Sequence, residues 1–271
     1  MTRTFKLIAI DVDGTLITSD QKVTGRVATV LRRLHSQGIA IALVTGRPSF
    51  HTHMIEEPLG FSPHIVGFNG AVGLVANTKQ VLFAHEMSSV QVSQIDEAAR
   101  TLGLTCCLYE LPHENIQITS EVKDTPLIDR FFEESTTPFV NLQSQTLPTR
   151  NVPKMFLLTS NPSTDILKVR ALCPSVNVYE ERYFLDCVPK GIHKGIGLTT
   201  LCESLNISLE ETVAFGDGTN DLEFLQTAGL GIAMKNGVDA LKQVANRVSQ
   251  FTNDEDGVAI ELEAMLEQGL F

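Results

Sequence analysis

The stretch LIAIDVDGTL, residues 7–16, decides the fold: four apolar residues lead into two carboxylates, Asp11 and Asp13, separated by one valine and followed by a glycine. So continuous an apolar run reads as a strand buried on both faces, the kind found inside a parallel sheet. In an extended strand residues two apart share a face, so Asp11 and Asp13 are expected to point the same way. Two like charges make sense there if the strand ends, at the carboxyl edge of an open α/β sheet, with Gly14 turning the chain. Their repulsion calls for a cation, a shared proton or both, and an all-oxygen ligand set points to Mg2+. A calcium loop begun at Asp11 would need Gly at its sixth position and Glu at its twelfth; Leu16 and Lys22 stand there, and that reading fails.

Outward from this strand the pattern repeats. VTGRVATVLRRLHSQG, residues 23–38, carries Val27, Val30, Leu31 and Leu34 at helical spacing and stops at Gly38, and IAIALVTGR, residues 39–47, is a second apolar strand. Strand, helix and strand in this order predict a right-handed βαβ unit. Near the other end LTTLCESL, TVAFGDG, DLEFLQTA, GLGIAM and VAIELEAML alternate helix and strand again, so both ends of the chain build one α/β layer structure. The middle differs. A hairpin is expected around Asn77 and Thr78, then a helix near 88–102, a strand LTCCLYE, a polar interval, a helix near 124–135, a strand KMFLLTS, a helix near 163–172 and two strands across VNVYEERYFLDCV. The segment 134–150 reads as loop-rich. The expected organisation is an α/β core from residues 1–83 and 189–271, with an α+β module inserted at 84–188.

At 271 residues, a core with an inserted module is a natural size. No stretch approaches the roughly 18–20 apolar residues of a spanning helix. The first residues show neither an apolar leader nor a small-residue cleavage site, so a cytoplasmic location is expected. A net charge of −11 argues against a nucleic-acid partner, and no membrane association is expected. Five cysteines, Cys106, Cys107, Cys173, Cys187 and Cys202, form no CxxC pair and read as buried thiols. His51, His53, His64, His85 and His113 show no metal-ligand spacing and read as ordinary polar residues.

Other strand ends bear on the opening pair. The second strand ends at Thr45, Gly46 and Arg47, a hydroxyl and backbone N–H groups suited to phosphate. AFGDGTNDLEF, residues 214–224, repeats the acidic pair as Asp217 and Asp221: the first would complete a metal's coordination, the second would orient the metal or its bound water. Such a site needs a compensating cation. Lys190 and Lys194 both stand near a helix start; Lys194 is preferred because it directly precedes Gly195 and the helix that carries Leu198, Leu201 and Leu205 to the core.

With DVDGT at 11–15, TGR at 45–47, Lys194 in HKG and GDGTND at 216–221 in chain order, the sequence resembles the haloacid dehalogenase superfamily of phosphotransferases. The insert between the second and third signatures, FNGA at 68–71 and NDEDGVA at 253–259 are similar to its Cof-type branch. His193 departs from the small residue usual before the lysine. The resemblance implies a Rossmann-like core with a cap domain that closes over the strand ends and sets specificity. It implies an Mg2+-dependent phosphatase of small phosphorylated metabolites, sugar or cofactor phosphates, with Asp11 as nucleophile forming an aspartyl-phosphate. Asp13 would be the acid and base, kept protonated by repulsion and burial. Thr45, Gly46, Lys194 and Asn220 would hold phosphate, and Asn69 and Arg47 would meet substrate, although Arg47 suits a structural ion pair equally. The metal would take Asp11, the main-chain carbonyl of Asp13, and Asp217, with Asp221 nearby. Asp254 and Asp256 read as loop-capping groups behind the site. A phosphosugar mutase of the same fold, and a non-catalytic phosphometabolite-binding regulator, stay open as alternatives; oligomeric state is not legible.

Overall fold

The computed structural model describes residues 4–48, 52–111, 116–119, 139–141, 147–148 and 152–271. The chain divides into two units, 1–83 with 193–271, and 84–192. The expected helix near 124–135 lies outside the described residues, as do His51 and His113.

In the first unit β1 (Leu7–Ile10) is flanked by β2 (Ala40–Val44) and β12 (Thr212–Gly216). Beyond β2 come β3 (His64–Gly67), β4 (Val72–Leu74) and β5 (Val81–Ala84), and beyond β12 come β13 (Leu230–Ala233) and β14 (Arg247–Val248). Pairing is parallel from β14 through β3 and turns antiparallel at β4. Alternating residues serve opposite layers. Ile8, Ile10, Ile41, Leu43, Val213 and Phe215 pack with α1 (Gly25–Ser36) and α8 (Gly257–Glu267). Leu7, Ala9, Ala42, Val44 and Ala214 pack with α5 (Lys194–Leu205), α6 (Leu222–Thr227) and α7 (Asp239–Val244). Because both faces are covered, the strands need apolar residues at every position, which is why they read as unbroken runs.

Register positions the chemistry. Ile10 lies beside Leu43 on one side and Phe215 on the other, so the three central strands end level. The order along the sheet reverses at β1, the topological switch where open α/β sheets bind ligands.

The second unit has a six-stranded sheet, in the order β10 (Val176–Glu180), β11 (Phe184–Pro189), β9 (Lys154–Leu158), β6 (Thr105–Tyr109), β7 (Ile116–Ile118), β8 (Phe139–Asn141). Helices α3 (Ser89–Leu102) and α4 (Pro162–Leu172) contribute to one apolar cluster with it. Its end lies four residues beyond the sequence reading's 188, and the Ile192 carbonyl accepts from Asn177 Nδ2 at 2.8 Å within the unit. The short strand β7 falls in the interval read as merely polar, because three residues show no measurable alternation.

Candidate active site

The nucleophile candidate is the first residue past β1. Its N–H donates to the Phe215 carbonyl at 2.9 Å, which anchors Asp11 to the end of β12. From there the chain does not stay extended. Val12–Leu16 loops back through non-helical Asp13 (φ −78°, ψ 123°) and Gly14, closed by Leu16 N–H to the Asp11 carbonyl at 3.2 Å and Ile17 N–H to the Val12 carbonyl at 3.1 Å. Gly14 makes the turn possible: its φ is +75°, and a Cβ there would lie 2.4 Å from Asp217 Oδ2.

Strand pairing ends at Ile10, so Asp11 and Asp13 stand past the paired residues, and they differ in burial. Asp11 is 5% exposed, whereas the Asp13 side chain is 50% exposed. Burial does not surround Asp13; Arg47 does, through Nε at 2.8 Å and Nη2 at 2.6 Å. Gln21 Oε1 takes a further Arg47 hydrogen bond at 2.6 Å. Arg47 thus forms the ion pair, and that pair raises the pKa of its guanidinium.

Lys194, the first residue of α5, is 1% exposed and donates to Asp11 Oδ1 and Asp221 Oδ1, each at 2.6 Å. Burial would strip its proton, but the two carboxylates outweigh burial and hold its pKa above the ordinary lysine value. Lys190 is exposed. The helix start is placed by close backbone packing: Gly70, at φ +100°, would put a Cβ 2.2 Å from the His193 carbonyl oxygen. His193, the departure from the usual small residue, accepts from Ile196 N–H on Nδ1 at 3.4 Å.

Asp221 is engaged on both oxygens: Oδ1 takes Lys194, and Oδ2 accepts from the N–H groups of Asp217 and Gly218 at 3.0 and 2.9 Å. Asp217 Oδ1 accepts from Thr15 Oγ1 at 2.8 Å. Asp11, Asp217 and Asp221 each offer an oxygen within 4.8 Å of the others'. Burial, reinforced by Asp221, pushes the Asp217 pKa up to about 6 despite the Thr15 bond. Asp11 is likewise raised, by burial first and then by Asp221 and Asp217, against the pull of Lys194. One lysine does not balance three carboxylates. The residues fit a hard divalent cation, since the donors are all oxygen and the negative charge is in excess. The Asp13 carboxylate lies outside this cluster, so a metal role for Asp13 rests on its main chain.

Thr45 is buried; its Oγ1 accepts from Arg47 N–H at 3.0 Å, and its carbonyl accepts from Asn69 N–H at 3.0 Å. Phe68, Asn69 and Gly70 all have positive φ, at 53°, 53° and 100°, a strained run of the kind functional sites retain. This bend brings Asn69 Oδ1 to Asn220 Nδ2 at 2.9 Å and beside Gly46. Thus Asp11, Thr45, Gly46, Asn69, Lys194, Asp217, Asn220 and Asp221 converge, with Asp13 and Arg47 paired beside them. Sequence reasoning missed Thr15, although it stands inside DVDGT, and Gln21 and Asn236, which carry no local signal.

A family model described as haloacid dehalogenase-like hydrolase matches residues 8–262. The chain belongs to this family. The hydrolase is 30% identical over 264 residues to the 5-amino-6-(5-phospho-D-ribitylamino)uracil phosphatase YitU of Bacillus subtilis, covering 93% of this chain and 94% of that one. It is also 30% identical over 290 residues to the phosphatase YwpJ of Bacillus subtilis, covering 96% and 100%. A haloacid dehalogenase-like hydrolase from Bacteroides thetaiotaomicron superposes with a TM-score of 0.81 at 30% identity, covering 97% of this chain and all of that one. It is accordingly a Cof-type phosphatase, a phosphoric monoester hydrolase.

The remaining sequence expectations find their places. The cysteines are buried, and burial pushes the Cys106 thiol up to about 12. Among the described residues, the aspartate cluster is the one group of three or more His, Cys, Asp and Glu suited to a metal. Among them, too, no helix is long and apolar enough to cross a membrane.

Proposed function

We propose that this hydrolase is an Mg2+-dependent phosphatase of small phosphorylated metabolites that works through an aspartyl-phosphate on Asp11. The observation carrying this reading is the buried Asp11 carboxylate at the end of β1, bonded to Lys194 and clustered with Asp217. A carboxylate needs no deprotonation to attack, and Lys194 both orients it and offsets charge on the incoming phosphate. An Asp11 oxygen attacks phosphorus, the bond to the leaving oxygen breaks, and that oxygen takes a proton from Asp13. Water then attacks the phosphorus, gives its proton to Asp13, and the bond to Asp11 breaks, which regenerates the enzyme. The Arg47 fork fixes the position of the Asp13 carboxyl group for both transfers. Thr45, Gly46 and Asn220 hold phosphoryl oxygens, and Asn69 and Arg47 face the rest of the substrate. Asp11, Asp217 and the main chain of Asp13 would hold Mg2+, with Asp221 orienting the set; when bound, the cation neutralises charge on the transferring group.

We assign the choice of leaving group to residues 84–192, which contain none of the phosphate-site motifs. The relative YitU, by its name, acts on a phosphorylated ribityl chain. This supports a sugar-like or polyol phosphate as substrate. The test is phosphate release across sugar phosphates, nucleotides and cofactor phosphates, with Mg2+ and with chelator, for the wild type and Asp11→Asn. Metal-dependent release that Asp11→Asn abolishes in a folded protein is expected. A folded variant that keeps most activity would sink the nucleophile assignment, and isomerised sugar phosphate without release would favour a mutase.

A further inference from the structure

The motif NDEDG, residues 253–257, has no place among the phosphate-site groups, and its contacts show what it grips. Asn253 Nδ2 donates to the Ile17 carbonyl at 2.9 Å. Asp254 accepts from the N–H and Oγ of Ser19, both at 2.7 Å, and Asp256 accepts from Thr24 Oγ1 at 2.5 Å. All of these partners lie in the loop that follows the nucleophile, more than 200 residues earlier. A fourth residue extends the grip toward the chemistry: Asn236, after β13, donates from Nδ2 to the Gly14 carbonyl at 2.7 Å, while its Oδ1 accepts from Asn253 N–H at 3.2 Å.

The orientation of the Asn236 amide is decided by its neighbours. A backbone N–H only donates and a carbonyl only accepts, so one end of the side chain must be oxygen and the other nitrogen. An aspartate of the same shape satisfies Asn253 but turns an oxygen on the Gly14 carbonyl. Gly14 is the place where such a clamp is needed, because a glycine has the least conformational preference of its own. It stands at φ +75° between Asp13, paired with Arg47, and Thr15, bonded to Asp217. A rotation of the Gly14–Thr15 peptide would move the groups on either side of it.

We propose that Asn236 and Asn253 are positioning residues: together they lock the Gly14–Thr15 peptide and so hold Asp13 and the Thr15–Asp217 pair in register with Asp11. This deepens the phosphatase reading and rests on it. Asn236 is exposed, so substitutions there are expected to leave the chain folded. The experiment uses the full chain with Asn236→Ala and Asn236→Asp, and p-nitrophenyl phosphate as well as the best sugar phosphate of the panel. Both variants are expected to lose about ten-fold or more in kcat, a modest share of what misplaced groups can cost, while KM stays within about two-fold. Amide hydrogen exchange of residues 12–20 is expected to speed up by about ten-fold, the equivalent of one hydrogen bond, while the rest of the chain exchanges as in the wild type. Unchanged exchange at 12–20 would overturn the proposal, as would faster exchange with unchanged kcat. An active wild type with equally active variants overturns this proposal alone. A wild type silent on every phosphomonoester overturns the phosphatase reading and this one with it.

Discussion

Replacing Asp217 by asparagine should make the metal-free protein more stable while ending its catalysis. Asp217 is raised from 3.8 to about 6, chiefly by burial and then by Asp221, with Thr15 opposing. A carboxyl group with a folded pKa above its unfolded one carries no penalty while both states are protonated. The penalty grows as pH rises from about 4 and is complete above about 6. At roughly 1.4 kcal/mol per pH unit, the span from 3.8 to about 6 is a cost of about 3 kcal/mol. Asparagine removes that cost but weakens the Thr15 bond by about 1 kcal/mol, which leaves a gain of about 2 kcal/mol. For a chain of this size that is a rise in thermal midpoint of about 4–8 °C. The assay is thermal unfolding of both proteins in chelator from pH 4 to pH 8. The variant should lead at pH 8 and lose its lead by pH 4. Mg2+ at about a hundred times its Kd should stabilise the wild type by roughly 2.7 kcal/mol and erase the difference. An advantage independent of pH, or none at pH 8, would refute the reasoning, because the buried charge it removes is the stated cause.

Lys194→Met leaves Asp11 and Asp221 buried without their shared cation, so a loss of about 3–5 kcal/mol at neutral pH is expected in chemical denaturation, together with loss of phosphate release. Gly70→Ala must displace the His193 carbonyl, 2.2 Å from the new Cβ, and with it Lys194. It should cost about 2 kcal/mol or more and lower kcat, whereas Gly38→Ala, at φ +89° in open space, should cost about 1 kcal/mol and leave kcat alone. Arg47→Lys keeps the charge but not the two-pronged grip on Asp13; a fall in kcat of about ten-fold or more with an unchanged melting curve is expected, and steady-state kinetics checks it.

The parts of this protein legible in its sequence are those whose physics is local. β1, β2 and β12 had to be apolar throughout because helices cover both faces, so each shows as an unbroken run ending in Asp11, Thr45 or Asp217. Lys194 was legible beside Lys190 because its helix carries apolar residues to the core. Elements too short for a period, such as β7 and β8, left no signal. The exposure of Asp13 was hidden for a different reason: strand geometry does not say what covers a residue past the last pairing, and here that neighbour is Arg47. The pairing of Arg47 with Asp13, the Asn69–Asn220 contact and the Asn236 clamp join residues 34, 151 and 222 positions apart. No periodicity along the chain encodes such meetings. They follow from strand order and register, which bring the ends of β1, β2, β3, β12 and β13 to one edge, and only there do the side chains acquire the partners that give them a chemistry.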